Sequence, residues 1–212
     1  MIKIKNLTKT FGVQNSLDNI SLELNKGDSV IIMGQNGAGK TTLIRSILGQ
    51  YIPSSGTIEV AGNNPFKNRV DTISKVGFVP QLPPPIKLTV EELINFAIHS
   101  SNISKKSVVE LCLKMDLDLN EHMKKVFFKL SGGMKQKLLI AIAIAKNPEI
   151  FIFDEPTANL DPKGRENFCE IIKEYNKNRL IIFISHRIEE VLNLVNRKIE
   201  LDLGKVILDE KI

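Results

Sequence analysis

Gly34-Gln35-Asn36-Gly37-Ala38-Gly39-Lys40-Thr41-Thr42 is the stretch whose reading decides the fold. Upstream, Ser29–Met33 reads as a strand buried on both faces. Downstream, Thr41–Leu48 reads as a helix closed by Gly49. The segment between them fits G-x-x-x-x-G-K-[ST]. Its glycines let backbone N–H groups converge on phosphate oxygens, and the helix N-terminus adds positive potential. Lys40 is spaced to reach β- and γ-phosphates and the Thr41 hydroxyl to ligate Mg²⁺. The plain alternative is a tight strand-to-helix turn, against which the complete motif in the correct context argues.

Outward from this loop, Ile2–Leu7 and Ile20–Leu24 alternate apolar and polar residues, as half-exposed antiparallel strands do. Thr57–Val60 and Ser74–Val79 read as further short strands. Leu82-Pro83-Pro84-Pro85 can continue neither strand nor helix and should be extended. Thr89-Val90-Glu91-Glu92 then opens a helix with a capping box, running to about Ser100. Helical patterns follow near Lys105–Met115 and Gly132–Lys146. Buried strands return at Ile150–Phe153 and Leu180–Ile184, separated by a helix from Asp161-Pro162 to about Asn176. Arg187–Val195 reads as a short helix, and Ile199–Leu203 and Val206–Leu208 as strands around the Asp202–Lys205 turn. The class is α/β: a P-loop NTPase with a mostly parallel sheet, an N-terminal antiparallel β subdomain and an inserted α-helical subdomain. The expected division is one domain over 1–212, with a catalytic core at 1–81 and 148–212 and a helical lobe at 82–147.

Two further segments carry chemistry. Asp154-Glu155 closes an apolar strand; a carboxylate there can hold Mg²⁺, directly or through water, and Glu155 could polarise an attacking water. Ser131-Gly132-Gly133 opens a helix. Serine is a good N-cap, and two glycines permit close approach of an anion to bare backbone N–H groups, making a second phosphate-binding terminus. Capping alone explains the serine well and the glycines poorly. The chain of 212 residues is 42% hydrophobic and 25% charged, enough for a buried core, and no apolar run approaches the ~18 residues of a membrane span. A net charge of +5 suits phosphate, headgroups or nucleic acid without choosing among them. Cys112 and Cys169 lie far apart without metal-like spacing, as reduced core thiols would.

With these elements in place, the chain resembles the ABC ATPase family over its whole length. The P-loop at 34–42, Gln81, the signature Leu130-Ser131-Gly132-Gly133, Asp154-Glu155 and His186 occur in the family's order, and Asn159-Leu160-Asp161 looks like its D-loop. The resemblance implies that Phe11 stacks on adenine, a core phenylalanine being the alternative. It implies that Gly34, Asn36, Gly37, Ala38, Gly39, Lys40, Thr41, Thr42 and Asp154 bind ATP, with Thr41, Gln81 and Asp154 serving Mg²⁺. Glu155, Gln81 and His186 would act at the γ-phosphate. Ser131, Gly132, Gly133 and Asp161 would act in trans, on ATP held by a second subunit in a head-to-tail dimer; Asp161 serves the N-cap reading as well. The implied partners are a second ATPase subunit, as a homodimer in preference to a heterodimer, and a separate transmembrane permease, with no nucleic acid. The implied place is cytoplasmic, peripheral on the cytoplasmic face of the cell membrane.

The chain departs from the family pattern at Met134, where Gln is usual, and at Ile142, where Arg is common. Its signature Leu-Ser-Gly-Gly-Met-Lys-Gln is closer to exporter-type members. Leu82, Ile86 and Leu88 could line a groove for a membrane partner or pack the helical lobe internally. The competing class is a soluble ABC ATPase acting on nucleic acid or ribosomes. Asn25-Lys26-Gly27-Asp28 matches a guanine-specificity pattern but precedes the P-loop instead of following it.

Overall fold

The computed structural model describes residues 1–101, 103–176 and 178–212. Two long strands open the chain, β1 (Ile2–Phe11) and β2 (Gln14–Leu24), joined by a turn in which Gly12 has φ 59°. They pair antiparallel, and β4 (Ser55–Val60) adds to the other edge of β1, giving the order β2-β1-β4. Both hairpin strands outrun their alternating segments, for a physical reason. Asn6 and Asn19 sit at positive φ, and the register shifts between Ile4 and Leu7 and again beyond it. Each bulge flips the inward face by one residue, so the buried set runs Ile2, Ile4, then Leu7, and period-2 reading stops at the break. Ser21 and Thr8 hydroxyls accept from the Asn6 and Asn19 N–H groups.

The larger sheet has the order β5-β6-β7-β3-β8-β9. Its strands are β3 (Ser29–Met33), β5 (Val76–Val79), β6 (Ile150–Asp154), β7 (Leu180–Ile184), β8 (Arg197–Asp202) and β9 (Lys205–Lys211). β3 pairs parallel with β7 on one side and β8 on the other; β9 returns antiparallel. Val30, Ile31 and Ile32 and the whole of Leu180–Phe183 have no solvent exposure, as strands covered on both faces require. The Asn25–Asp28 segment is a structural turn. Asp28 accepts from the Asn25 N–H, and Arg197 bridges Asp28 at 3.1 Å and Asp209 at 2.7 Å.

Chain contacts group the molecule into two compact units, one of residues 1–76, 149–152 and 176–212, the other of 77–148 and 153–175. The first carries α1 (Lys40–Ile47) and α2 (Arg69–Ser74). Ser74 closes α2, its hydroxyl donating to the Asp71 carbonyl, so β5 begins two residues after the expected start. The expected helix over Arg187–Val195 is two single 3₁₀ turns, Ile188–Glu190 and Leu192–Leu194, because Val191 between them takes φ −130°. The second unit holds α3 (Val90–Ser101), α4 (Lys105–Lys114), α5 (Gly132–Ala145) and α6 (Pro162–Tyr175). The capping box forms: Glu92 accepts from the Thr89 N–H at 2.7 Å, and Thr89 Oγ1 accepts from the Glu92 N–H at 3.2 Å. Residues 82–88 form no regular element, and Leu82 and Leu88 are exposed there.

Neither cysteine forms a disulfide; Cys112 is fully buried and Cys169 half-buried. Burial pushes the Cys112 thiol up to about 12, so it stays neutral throughout the pH range in which an ordinary cysteine ionises. A thiol-exchange reagent at pH 8 is therefore expected to leave Cys112 unmodified in the native protein and to modify it once denaturant unfolds the chain. Rapid native-state labelling at Cys112, located by peptide mass, would contradict this.

Candidate nucleotide-binding and catalytic site

The loop between β3 and α1 owes its shape to glycines at three left-handed positions. Gly34, Gly37 and Gly39 have φ 144°, 88° and 103°. A side chain at Gly34 would collide with the Leu201 carbonyl oxygen, and one at Gly39 would lie 2.5 Å from the Ser16 carbonyl oxygen. Around Gly37 the space is open, and Gln35, Asn36 and Gly37 are solvent-exposed. The loop closes on itself and on the β8–β9 turn: the Ala38 N–H donates to the Gln35 carbonyl and the Gly204 N–H to the Ala38 carbonyl, each at 3.1 Å. Lys40 Nζ donates to the Gly34 carbonyl at 2.6 Å and to the Gln35 carbonyl at 2.9 Å, which bends the ammonium over the loop.

The first i→i−4 bond of α1 runs from Leu43 to Gly39. The N-cap Gly39 offers no side chain, and no acidic residue occupies the first turn. The N–H groups ahead of Leu43 thus meet no local carboxylate, which is the electrostatic requirement for receiving a phosphate. Thr41 is exposed at this end. Thr42 is buried, and its hydroxyl pairs with Ser16 Oγ at 2.7 Å, bracing the helix start against β2. In the parallel register Ile32 lies opposite Ile184, so Gly34 and His186 each stand two residues beyond a paired position, at the same end of neighbouring strands. His186 is exposed there, beside the buried Ser185, whose hydroxyl accepts from the Arg187 N–H.

Phe11 closes the β1 hairpin with its ring 46% exposed, so it is not a core residue. Tyr51 meets it edge-on at 5.2 Å, and Lys9 Nζ stands 5.0 Å from its centroid. Arg45 in turn donates to the Tyr51 hydroxyl at 2.6 Å. Sequence reasoning had no access to Ser16, Tyr51, Arg45 or Gly204, whose roles arise from long-range pairing.

The second unit carries the remaining candidates. Ser131 caps α5, its Oγ accepting from the Met134 N–H at 3.2 Å, and the first turn of α5 also lacks acidic residues. Ser131 and Gly132 are exposed. Glu155 is buried with φ 47°, a left-handed backbone that a non-glycine residue adopts at a cost of order 1 kcal/mol or more. Asp154 is half-buried and Gln81 exposed. The Asp161 carbonyl accepts from the Arg165 N–H as an N-cap should, while its carboxylate lies 3.5 Å from Lys137 Nζ. Among the described residues no cluster of three or more His, Cys, Asp or Glu side chains could cage a metal. The Thr41 hydroxyl and the Asp154 carboxylate are hard oxygen donors of the kind Mg²⁺ takes, with phosphates and water completing its shell.

The ABC transporter family profile matches residues 17–158, from within β2 to the residue before Asn159. The chain belongs to the ABC transporter family. It is 38% identical over 210 residues to the bacitracin transport ATP-binding protein BcrA of Bacillus licheniformis, covering 98% of this chain and 68% of that one. It is 36% identical over 224 residues to the energy-coupling factor transporter ATP-binding protein EcfA2 of Clostridium tetani, covering 98% and 78%. Its fold matches a dimeric, post-hydrolysis structure of the ATP-binding cassette MJ0796 bound to ADP and Pi, with TM-score 0.88, 29% identity, and coverage of 100% and 98%. As a member of this family the chain is an ABC transporter ATP-binding subunit, and it is an ATPase. No helix among its described residues is long and apolar enough to cross a membrane.

The loop geometry separates its glycines by cost. Gly34→Ala places a methyl group against backbone that cannot retreat, so a loss of about 3 kcal/mol or more in unfolding free energy is expected. Gly37→Ala meets only backbone strain, about 1 kcal/mol. Denaturant melts of the two variants check the order; equal losses would show that strain, not collision, governs the loop.

Proposed function

We propose that this chain binds and hydrolyses Mg-ATP at the interface of a head-to-tail dimer and thereby drives a separate transmembrane permease. The observation that carries this reading is that α1 and α5 each open on glycine, without an acidic residue in the first turn, and in different compact units. One chain needs only one such terminus for its own nucleotide; the second is explained by a neighbour's. The reading treats 1–212 as one ABC ATPase domain, with a core at 1–81 and 148–212 and a helical lobe at 82–147.

In this scheme Phe11 stacks on the base. Gly34, Asn36, Gly37, Ala38, Gly39 and Thr42 shape the phosphate cradle, and Lys40 neutralises the β- and γ-phosphates. Thr41, Asp154 and Gln81 would hold Mg²⁺, which supplies charge neutralisation of the transferring phosphoryl group. Glu155 accepts the proton of the attacking water, and His186 donates to the γ-phosphate oxygens as charge builds there. Ser131, whose Oγ already accepts from Met134, keeps its O–H for a phosphate oxygen of the partner's nucleotide. Gly132, Gly133 and Asp161 complete that surface. The assembly this reading describes is a dimer with a second ATPase subunit, a homodimer in preference to a heterodimer, held on the cytoplasmic face of the cell membrane by the permease and without nucleic acid.

Three substitutions separate the roles. Lys40→Ala is expected to abolish ATP binding in equilibrium titrations. Glu155→Gln should retain binding, lower turnover about 10²- to 10⁴-fold, and accumulate an ATP-dependent dimer in light scattering. Ser131→Ala should bind ATP normally yet dimerise and hydrolyse poorly. Wild-type turnover in Glu155→Gln would remove Glu155 as the base, and an unaffected Ser131→Ala would remove the trans site. Purification from membranes should bring down a multi-span protein; recovery with RNA or DNA alone would exclude the transport role.

A further inference from the structure

The start of α5 and the loop 155–161 are locked together in the second unit, and the lock turns on a lysine that neither motif contains. Lys137, in the second turn of α5, has a side chain only 11% exposed, and its ammonium lies 3.5 Å from Asp161 Oδ1. An ammonium so nearly removed from water requires a polar or charged partner, and the Asp161 carboxylate, itself 58% exposed, is one. The approach is possible because two residues, Gly133 and Gly164, carry no side chain, while Gly132 has room for one. A Cβ on Gly133 would stand 2.9 Å from the Asn159 carbonyl oxygen; one on Gly132 would be 3.6 Å from Asn159 Oδ1. One on Gly164 would lie 2.7 Å from Asp161 Oδ1 and 3.2 Å from Lys137 Cε. The loop is also tied internally, by Leu160 N–H to Thr157 and by Arg165 Nε to the Leu160 carbonyl.

We propose that Lys137 is a positioning residue, tying the Ser131 end of α5 to the loop that carries Glu155, so that the two move as one piece. The inference rests on the trans reading of Ser131. Under that reading Ser131 touches the partner's ATP and Glu155 serves the chain's own, so Lys137 transmits the occupancy of one site to the base of the other. It touches neither nucleotide in doing so. The observed geometry also explains why a glycine stands at position 164, in the first turn of α6, where alanine would be the better helix former.

The test compares Lys137→Met, Lys137→Arg and Gly164→Ala. Gly164→Ala keeps the lysine and the helix but pushes the Asp161 carboxylate away, so it guards against a Lys137→Met variant that fails to fold. In nucleotide-free protein, hydrogen exchange at the amides of 158–161 should quicken in Lys137→Met and Gly164→Ala and return to the wild-type rate in Lys137→Arg. With Mg-ATP, nucleotide Kd should stay within about twofold, while kcat falls about ten- to a hundredfold and the dependence of rate on ATP loses its cooperativity. Faster exchange with unchanged kcat would overturn the positioning role, and so would reduced kcat with unchanged exchange. Because exchange is read without nucleotide, the tie is measured independently of Ser131: an unaffected Ser131→Ala alongside quickened exchange would discard the trans reading and leave the tie standing.

Discussion

A side chain cannot be placed at Gly34 or Gly39, and much of the nucleotide-binding unit is arranged around that prohibition. Backbone from β2 presses on Gly39 and backbone from β8 on Gly34, so the loop is held by main chain on two sides. Main-chain walls do not change rotamer, and the concave run of N–H groups keeps its curvature without help from flexible side chains. The long β2 strand, the β8–β9 turn and the Ser16–Thr42 hydroxyl pair follow as consequences, since each supplies part of the wall or a brace for it.

The second unit solves a similar problem by a different means. Gly133 and Gly164 give close approach, and an ion pair holds it, between the nearly buried Lys137 ammonium and the exposed Asp161 carboxylate. Its role is mainly geometric: the carboxylate stays in water, whereas the ammonium, if it lost the carboxylate, would be left nearly dry. The loop between β3 and α1 is thus walled by backbone, whereas the start of α5 is held to the 155–161 loop through a charge.

Legibility followed sequence distance. The P-loop could be read because the phosphate imposes its spacing on nine consecutive residues, and the capping pairs Thr89–Glu92 and Ser131–Met134 because they close within four. The buried strands β3, β6 and β7 announced themselves as apolar runs. The bulges at Asn6 and Asn19 did not, since each shifts a face without any compositional mark, and the hairpin was read short. Arg187–Val195 has helical composition and is broken by one residue's torsion. Ser16 and Thr42 are 26 positions apart, and Lys137 and Asp161 are 24; nothing local in either member points at the other. The family resemblance supplied an ordered set of site residues, but not the braces that hold them.

The ring of Phe11 stands at a hairpin tip with Lys9 and Tyr51 already against it. Stacking reads the area of a π-face, which every nucleobase possesses, whereas telling adenine from guanine requires donors and acceptors aimed at the base edge. Phe11 and Val13 carry no polar side-chain atom, whereas Gln14 and Asn15, also exposed at that tip, do. On the proposed role of Phe11, the ring supplies affinity for any base, and discrimination of its edge falls to polar atoms such as those of the exposed Gln14. The choice of base and the grip on the triphosphate would then be altered independently, one at the hairpin turn and the other at the loop between β3 and α1.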